Sequence, residues 1–185
     1  MSIKKQILKN NIVLVTEPIA TSKTVAIGFW FSVGSRYEAE NQSGITHFVE
    51  HMIFKGTPNR RAYEIACSFD RIGGYVNAFT ERELVCLHCV VPAQYAEFAL
   101  EILTDMTHNA LFLEQDVNKE RSVIESEIIS AQDDPEEACL DTVIDCVFPE
   151  NPLSKNICGT LETVKNLSPT DLKNWYIKYF AEGEL

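Results

Sequence analysis

The segment His47-Phe48-Val49-Glu50-His51 places two histidines four residues apart, with a glutamate beside the second. On an α-helix, side chains four residues apart lie on one face, so both imidazoles could reach a single metal ion. Glu50 lies at the edge of that face and could take a proton from an attacking water without itself binding the metal. If the histidines bind metal, this segment must be helical. Two core histidines near an unrelated acid are the alternative, and the pentapeptide alone does not decide between them.

A second helical segment, residues 114–133, carries two glutamates on its apolar side. At 100° per residue, Glu120 and Glu127 fall on the same stripe as Ile124 and Ile128. Carboxylates on a core-facing stripe are costly unless a charge or hydrogen bonds compensate them. A metal ion could compensate one of them and a histidine N–H the other. Catalytic zinc needs three protein ligands and an open position, so this stripe offers the ligand that the histidine pair lacks. The two segments together favour a zinc site.

The order of the remaining patterns predicts an α+β fold with helices packed on a sheet. The chain has 185 residues, which is enough for one large domain or two small ones. No uninterrupted run of about 18 apolar residues occurs, and the first residues lack the apolar core of a signal peptide. A cytoplasmic protein is therefore expected. Strands are predicted at 12–18, at 24–33 and as a pair within 76–92, and helices at 44–54, 62–72, 93–112, 114–133, 134–147 and 168–180.

Charge and cysteine content exclude some classes of function. The formal net charge of −11 argues against binding to nucleic acid or to an anionic membrane surface. The six cysteines show no disulfide framework, which is typical of reduced thiols. Cys86 and Cys89 have C-x-x-C spacing, but they lie in an apolar, strand-like run without a second cysteine pair. Buried strand residues are the favoured interpretation, and a metal or redox site is the alternative.

Several motifs together resemble the pitrilysin/insulinase superfamily of zinc peptidases with the inverted H-x-x-E-H motif. These are HFVEHMIFKGT at residues 47–57, Glu127 within KERSVIESEI, GGYVNAFT at 73–80, and Gly-Thr at 159–160 followed by the segment 167–180. The branch of mitochondrial processing peptidase and its bacterial relatives looks most similar. The resemblance covers nearly the whole chain.

The resemblance implies a role for each residue of the zinc site. His47, His51 and Glu127 would be the zinc ligands, and Glu50 would be the general base. Glu120 would orient or buffer the site from outside the ligand set. The fold implied is a mostly antiparallel sheet packed against helices.

The same resemblance implies where a peptide substrate binds. Members of the family bind extended peptides along a sheet edge, which here implies Asn77, Ala78 and Phe79. For the preceding Gly73 and Gly74, a simple turn from helix to strand is the alternative to a binding role, and both can hold.

The resemblance also implies partners. Residues 1–185 would form a single N-terminal catalytic domain that lacks its C-terminal part and the second half of a clamshell, or a second subunit. A homodimer is a further expectation. The competing hypotheses are a catalytically silent subunit or scaffold of a processing-peptidase-like complex, and a metal-binding domain without catalysis.

Overall fold

The strands and helices of the chain follow the order that the sequence predicts, with two short additions. The computed structural model describes residues 3–9 and 11–182. Within them the elements are β1 (Lys4–Ile7), β2 (Val13–Thr16), β3 (Thr24–Phe31), α1 (Ile45–Met52), α2 (Ala62–Arg71), β4 (Tyr75–Thr80), β5 (Val85–Pro92), α3 (Ala96–Asn109), α4 (Glu114–Asp133), α5 (Pro135–Val147), α6 (Leu161–Asn166) and α7 (Pro169–Tyr176). A short π-helical segment, Ile177–Ala181, extends α7. The predicted α+β class is confirmed.

The main sheet has three antiparallel strands in the order β3-β5-β4. β1 and β2 pair with each other as a separate two-stranded ladder. Among the described residues, no strand pairs with the second edge of β4, so this strand is an edge strand. The predicted antiparallel sheet is thus confirmed, and the predicted peptide-binding strand lies at its edge.

The two faces of the sheet have different environments because strand side chains alternate. Phe31, Leu87 and Ala78 point into the core, where they are buried. Trp30 and Phe79 lie on the opposite face, where 54% and 38% of their surfaces are exposed. The core-facing side of the sheet is covered by helices, whereas its other face is open over part of its area.

Local sequence signals explain where the later helices begin. The Asp134 carboxylate accepts hydrogen bonds from the backbone N–H groups of the first turn of α5, and Pro135 occupies the first helical position. Ser168 and Asp171 form the capping box of α7. Both predicted helix starts are confirmed. No helix in the described part of the chain is long and apolar enough to cross a membrane.

Candidate metal centre

The start of α1 is held by a side chain from outside the helix. Its N-cap, Gly44, has a positive φ of 89° and no side chain to satisfy the first N–H groups. The buried Glu38 carboxylate accepts hydrogen bonds from the N–H groups of Gly44 and Thr46, at 2.8 and 2.9 Å. A Cβ atom at Gly44 would lie 2.5 Å from the carbonyl oxygen of Cys158. The histidine-bearing helix therefore begins at a fixed point against the chain around Cys158.

His47, His51 and Glu127 form one group of potential metal ligands. The Glu127 Oε2 atom lies 3.9 Å from His47 Nε2 and 3.5 Å from His51 Nε2. One donor atom from each residue lies within 4.8 Å of the other two. The two imidazole rings are 4.6 Å apart between centroids and nearly perpendicular. Helix α4 thus brings its glutamate to the histidine face of α1, as the sequence predicts.

This donor set fits a zinc ion. Zinc–nitrogen and zinc–oxygen bonds of about 2.0–2.2 Å in tetrahedral geometry place donor atoms roughly 3.4 Å apart, close to the separations around Glu127. Burial, aided by the neighbouring His51, lowers the pKa of His47 to about 4, so its imidazole is neutral at pH 7. Neutral imidazole is the form that binds a metal. Two histidines and one carboxylate leave a fourth position for water or substrate.

Glu120 contacts the opposite nitrogen of His51. Its Oε2 atom lies 3.2 Å from His51 Nδ1, while its Oε1 atom accepts from Lys55 Nζ at 2.5 Å. Glu120 is only 8% exposed, so the lysine compensates a buried negative charge. A carboxylate at Nδ1 favours the tautomer with its proton on that nitrogen, which leaves Nε2 free to bind a metal. Lys55 has no metal-site pattern of its own in the sequence and was missed there.

Glu50 lies beside the ligand group and is held by β4. The Thr80 hydroxyl donates a hydrogen bond of 2.5 Å to Glu50 Oε2. Burial raises the pKa of Glu50 above its usual range, although this hydrogen bond opposes the shift. Glu50 and His47 line the same cavity, which has a volume of about 520 Å³. Thr80 was not singled out in the sequence, although it directly follows the predicted peptide-binding residues.

The three predicted substrate-binding residues divide between the two faces of the sheet. Ala78 points inward and is 8% exposed, whereas Asn77 and Phe79 lie on the open face. The Ala78 N–H donates to the Asn77 side-chain oxygen at 2.9 Å. A hydrogen-bond donor at the free edge of β4 is therefore occupied by a neighbouring side chain.

Helix α5 forms the wall of the cavity opposite β4. Glu137 and Asp141 contribute carboxylates, and Leu140 and Ile144 contribute apolar surface. Together with Glu50, the cavity carries three carboxylates against one arginine, Arg82, and is thus net acidic next to the ligand group. The sequence analysis predicted α5 only as a helix and assigned no site residue to it, so this contribution was missed.

Comparison with known proteins agrees with this geometry. Residues 13–161 match the family model described as insulinase, peptidase family M16. The chain belongs to the insulinase (M16) family of peptidases. The inverted H-x-x-E-H motif and the distant glutamate suggested this family from the sequence. In the structure both lie within the M16 domain, and their donor groups are close together.

Two curated relatives show how the M16 chain compares with longer proteins. It is 39% identical over 179 residues to the uncharacterized zinc protease YmxG of Bacillus subtilis, covering 97% of this chain and 44% of YmxG. It is 37% identical over 178 residues to the probable β subunit of the mitochondrial-processing peptidase of Arabidopsis thaliana, covering 96% of this chain and 34% of that protein. The chain thus spans less than half the length of these relatives.

A solved structure shares the fold of the M16 domain. The crystal structure of a protease from Helicobacter pylori superposes with a TM-score of 0.91 at 23% identity, covering 97% of this chain and 44% of that one. At this identity the likeness shows the fold alone.

The two cysteines with C-x-x-C spacing are buried residues of a strand and do not form a metal or redox pair. Cys86 and Cys89 are both buried in β5, and their odd spacing places them on opposite faces of the sheet. Their interpretation as buried strand residues is confirmed.

Proposed function

We propose that this M16 domain binds one zinc ion through His47, His51 and Glu127 and hydrolyses peptide bonds with Glu50 as general base. The observation that carries the proposal is the convergence of the three donor atoms beside Glu50, a partly buried carboxylate that is hydrogen-bonded to Thr80 at the end of the edge strand β4. A zinc ion held there would supply a Lewis acid for the scissile carbonyl and would lower the pKa of the attacking water.

The residues of the chain perform the remaining steps. Glu50 takes a proton from the attacking water and delivers it to the leaving amine. The Thr80 hydroxyl holds one carboxylate oxygen of Glu50, which leaves the other free to exchange the proton. Glu120 keeps His51 oriented toward Glu127.

The substrate class that fits is an extended peptide. Such a peptide would add to the free edge of β4 at Asn77, Ala78 and Phe79, where backbone hydrogen bonds give affinity without selecting a sequence. Because Asn77 occupies the Ala78 N–H, a peptide that pairs with this group has to displace the amide side chain. The carboxylates of Glu137 and Asp141 favour a basic side chain near the scissile bond. The other half of the substrate chamber would come from the rest of the protein or from a second subunit.

A catalytically silent subunit is the alternative. The presence of all three donor residues together with Glu50 favours the peptidase, since a silent subunit has no need of a general base beside an intact donor set.

The test compares the zinc content and peptide cleavage of the intact protein with those of a Glu50→Gln variant. We expect the variant to keep one zinc per chain and to lose about 10²–10⁴-fold in kcat, because general-base catalysis contributes that much. Glu125→Gln, on α4 but outside the donor group, is the matched control and should keep both properties. Undiminished cleavage by the zinc-loaded Glu50→Gln protein would exclude the mechanism, and unchanged zinc content after Glu127→Ala would remove that residue from the ligand set.

A further inference from the structure

A second pocket lies next to the cavity at the candidate metal centre, and together they form one cleft region. We call this the distal pocket. Its lining is mainly apolar, from Trp30, Phe79, Ile144, Phe148 and Leu153, and is completed by the turn residues Glu81 to Leu84. Its volume is about 530 Å³, similar to that of the cavity containing His47 and Glu50. Phe79, Arg82 and Ile144 line both cavities, so the two cavities are adjacent.

One face of α5 runs along both cavities and changes character along its length. Glu137, Asp141, Ile144 and Phe148 recur at spacings of four, three and four residues, which places them on the same side of the helix. The two acids line the cavity at the metal centre, and Phe148, the residue that follows α5, lines the distal pocket. At 1.5 Å per residue, Glu137 and Phe148 are about 16 Å apart along the axis. The α5 side of the cleft is therefore acidic near the ligand group and apolar at its far end.

The apolar end of the cleft is exposed and held open. Trp30, Phe148 and Phe79 are 54%, 40% and 38% exposed. The rings of Trp30 and Phe79 pack edge to face, with centroids 5.9 Å apart, and do not fill the pocket. Arg82 crosses the cleft, donating a hydrogen bond of 2.9 Å to the Leu153 carbonyl and lying 3.5 Å from Asp141. This bridge ties the turn after β4 to the α5 side and fixes the width of the cleft.

We propose that the distal pocket binds a large aliphatic or aromatic side chain of the peptide substrate. The proposal rests on the proposed function, since it takes the neighbouring cavity as the place of cleavage. An extended peptide advances about 3.3 Å per residue, so the 16 Å between the ends of the cleft correspond to roughly five residues. The anchoring residue therefore lies about four to six residues from the basic residue that Glu137 and Asp141 would bind. Phe79 lies on the edge strand proposed to bind the peptide and lines both cavities, which favours a substrate side chain over a second copy of the chain.

The test measures binding to the zinc-loaded intact protein carrying Glu50→Gln, so that the peptide is not consumed. Peptides with one basic residue are compared in pairs that differ only by phenylalanine or serine, placed three to seven residues to either side of the basic residue. We expect one position at which phenylalanine lowers the Kd about tenfold, as burial of an aromatic ring allows. Trp30 fluorescence should shift to the blue on binding, since this tryptophan is exposed whereas Trp175 is only 7% exposed.

Variants of the pocket then assign that preference to its residues. Trp30→Ser and Phe148→Ser should each reduce the discrimination between the two peptides to less than about threefold, since a half-open pocket loses most of its apolar contact when one wall is removed. Val143→Ser is the matched control, because Val143 is 51% exposed on α5 and lines neither cavity. Circular dichroism and thermal unfolding check that each variant is folded. If one of the two pocket variants does not fold, the other still tests the proposal.

The results separate this proposal from the proposed function. If the phenylalanine peptide binds more tightly than the serine peptide but the wild-type protein shows no zinc-dependent cleavage, the pocket proposal stands and the peptidase proposal is rejected. Cleavage with equal Kd values for both peptides at every position would retain the peptidase and overturn the pocket. The pocket proposal would also be overturned if Trp30→Ser and Phe148→Ser changed the molar mass in solution but left the discrimination intact, since the surface would then be an interface between copies of the chain.

Discussion

Replacing Glu120 by glutamine removes one negative charge from a side chain that contacts both His51 and Lys55. The glutamine keeps nearly the same shape, and its oxygen can still accept a hydrogen bond from His51 Nδ1 or from Lys55, but not from both with the strength of a carboxylate. The variant therefore tests the charge of the carboxylate rather than the packing of the side chain.

The expected effect on metal binding follows from the position of Glu120 behind a ligand. Removing an outer partner of a metal-binding histidine lowers metal affinity by about 10–100-fold, or roughly 1.4–2.7 kcal/mol. The metal-free protein should change much less. Lys55 is 30% exposed, so its ion pair contributes less than about 1 kcal/mol, and losing a buried charge at Glu120 offsets part of that loss. Zinc affinity should fall while the free energy of unfolding of the metal-free protein stays within about 1 kcal/mol of wild type.

Competition with a chelator of known zinc affinity measures the first quantity, and urea unfolding of the metal-free protein measures the second. Glu125→Gln removes a charge from the same helix without touching the donor group and should leave the zinc affinity unchanged. A zinc affinity of Glu120→Gln equal to that of wild type would refute the role of Glu120 behind His51. A fall of several kcal/mol in the free energy of unfolding of the metal-free variant would instead mean that Glu120 mainly stabilises the fold.

Three further substitutions, the first with a comparison variant, test the framework of the domain. Gly44→Ala should lower the free energy of unfolding by more than about 2 kcal/mol in urea titrations, because it combines a left-handed backbone with a Cβ 2.5 Å from a carbonyl oxygen. Gly73→Ala is the comparison, since Gly73 has a φ of 70° but nothing within 4 Å of its Cβ position, and it should cost only about 1 kcal/mol. Equal losses for the two variants would contradict the clash at Gly44. Burial acts to raise the pKa of Asp105, but hydrogen bonds from four side chains together hold it below its ordinary 3.8, so its contribution to stability is present above that pH and is lost as the pH falls below it. Asp105→Asn should thus flatten the acid-unfolding curve below about pH 4, and an unchanged slope would exclude this residue as a contributor. Tyr176→Phe leaves the buried Ala110 N–H without its acceptor at 2.9 Å and should cost about 1–3 kcal/mol by thermal unfolding, whereas an unchanged melting temperature would mean that another acceptor replaces the hydroxyl.

Periodicity predicted the faces of the helices that build the site. Glu120 and Glu127 lie on the side of α4 that faces α1, as their shared stripe required. Periodicity could not assign their different roles, because these depend on which atom of His51 each carboxylate meets. The side-chain exposures of 10% for Glu120 and 44% for Glu127 reflect their neighbours and not their helical phase. The resemblance to the family, rather than the spacing, separated the two.

Other features of the site follow from contacts between residues far apart in the sequence. Glu38 caps α1 from outside the helix, and Thr80 reaches Glu50 across 30 positions. Neither residue belongs to a periodic pattern or to a local cap, so its partner could not be predicted from spacing. The short elements β1 and α6 were missed for a related reason. The four residues of β1 are mostly polar, unlike those of the equally short β2, and the six residues of α6 span less than two turns, so neither shows an apolar periodicity. Pairing with β2 and the capping box at Thr160 stabilise them.

The two kinds of distance within the metal centre have different physical origins. Local helix geometry fixes the separation of His47 and His51, whereas the distance from either histidine to Glu127 depends on how α4 packs against α1. Arg121 connects these parts. Its guanidinium lies over the ring of Phe48 on α1, with 5.4 Å from Cζ to the ring centroid, and donates hydrogen bonds to two backbone carbonyls at the end of α6. Because this one side chain joins α4 to α1 and to α6, the third donor keeps its position only while that packing holds. Metal affinity therefore reports on the tertiary structure of the domain as well as on the identity of its three donor residues.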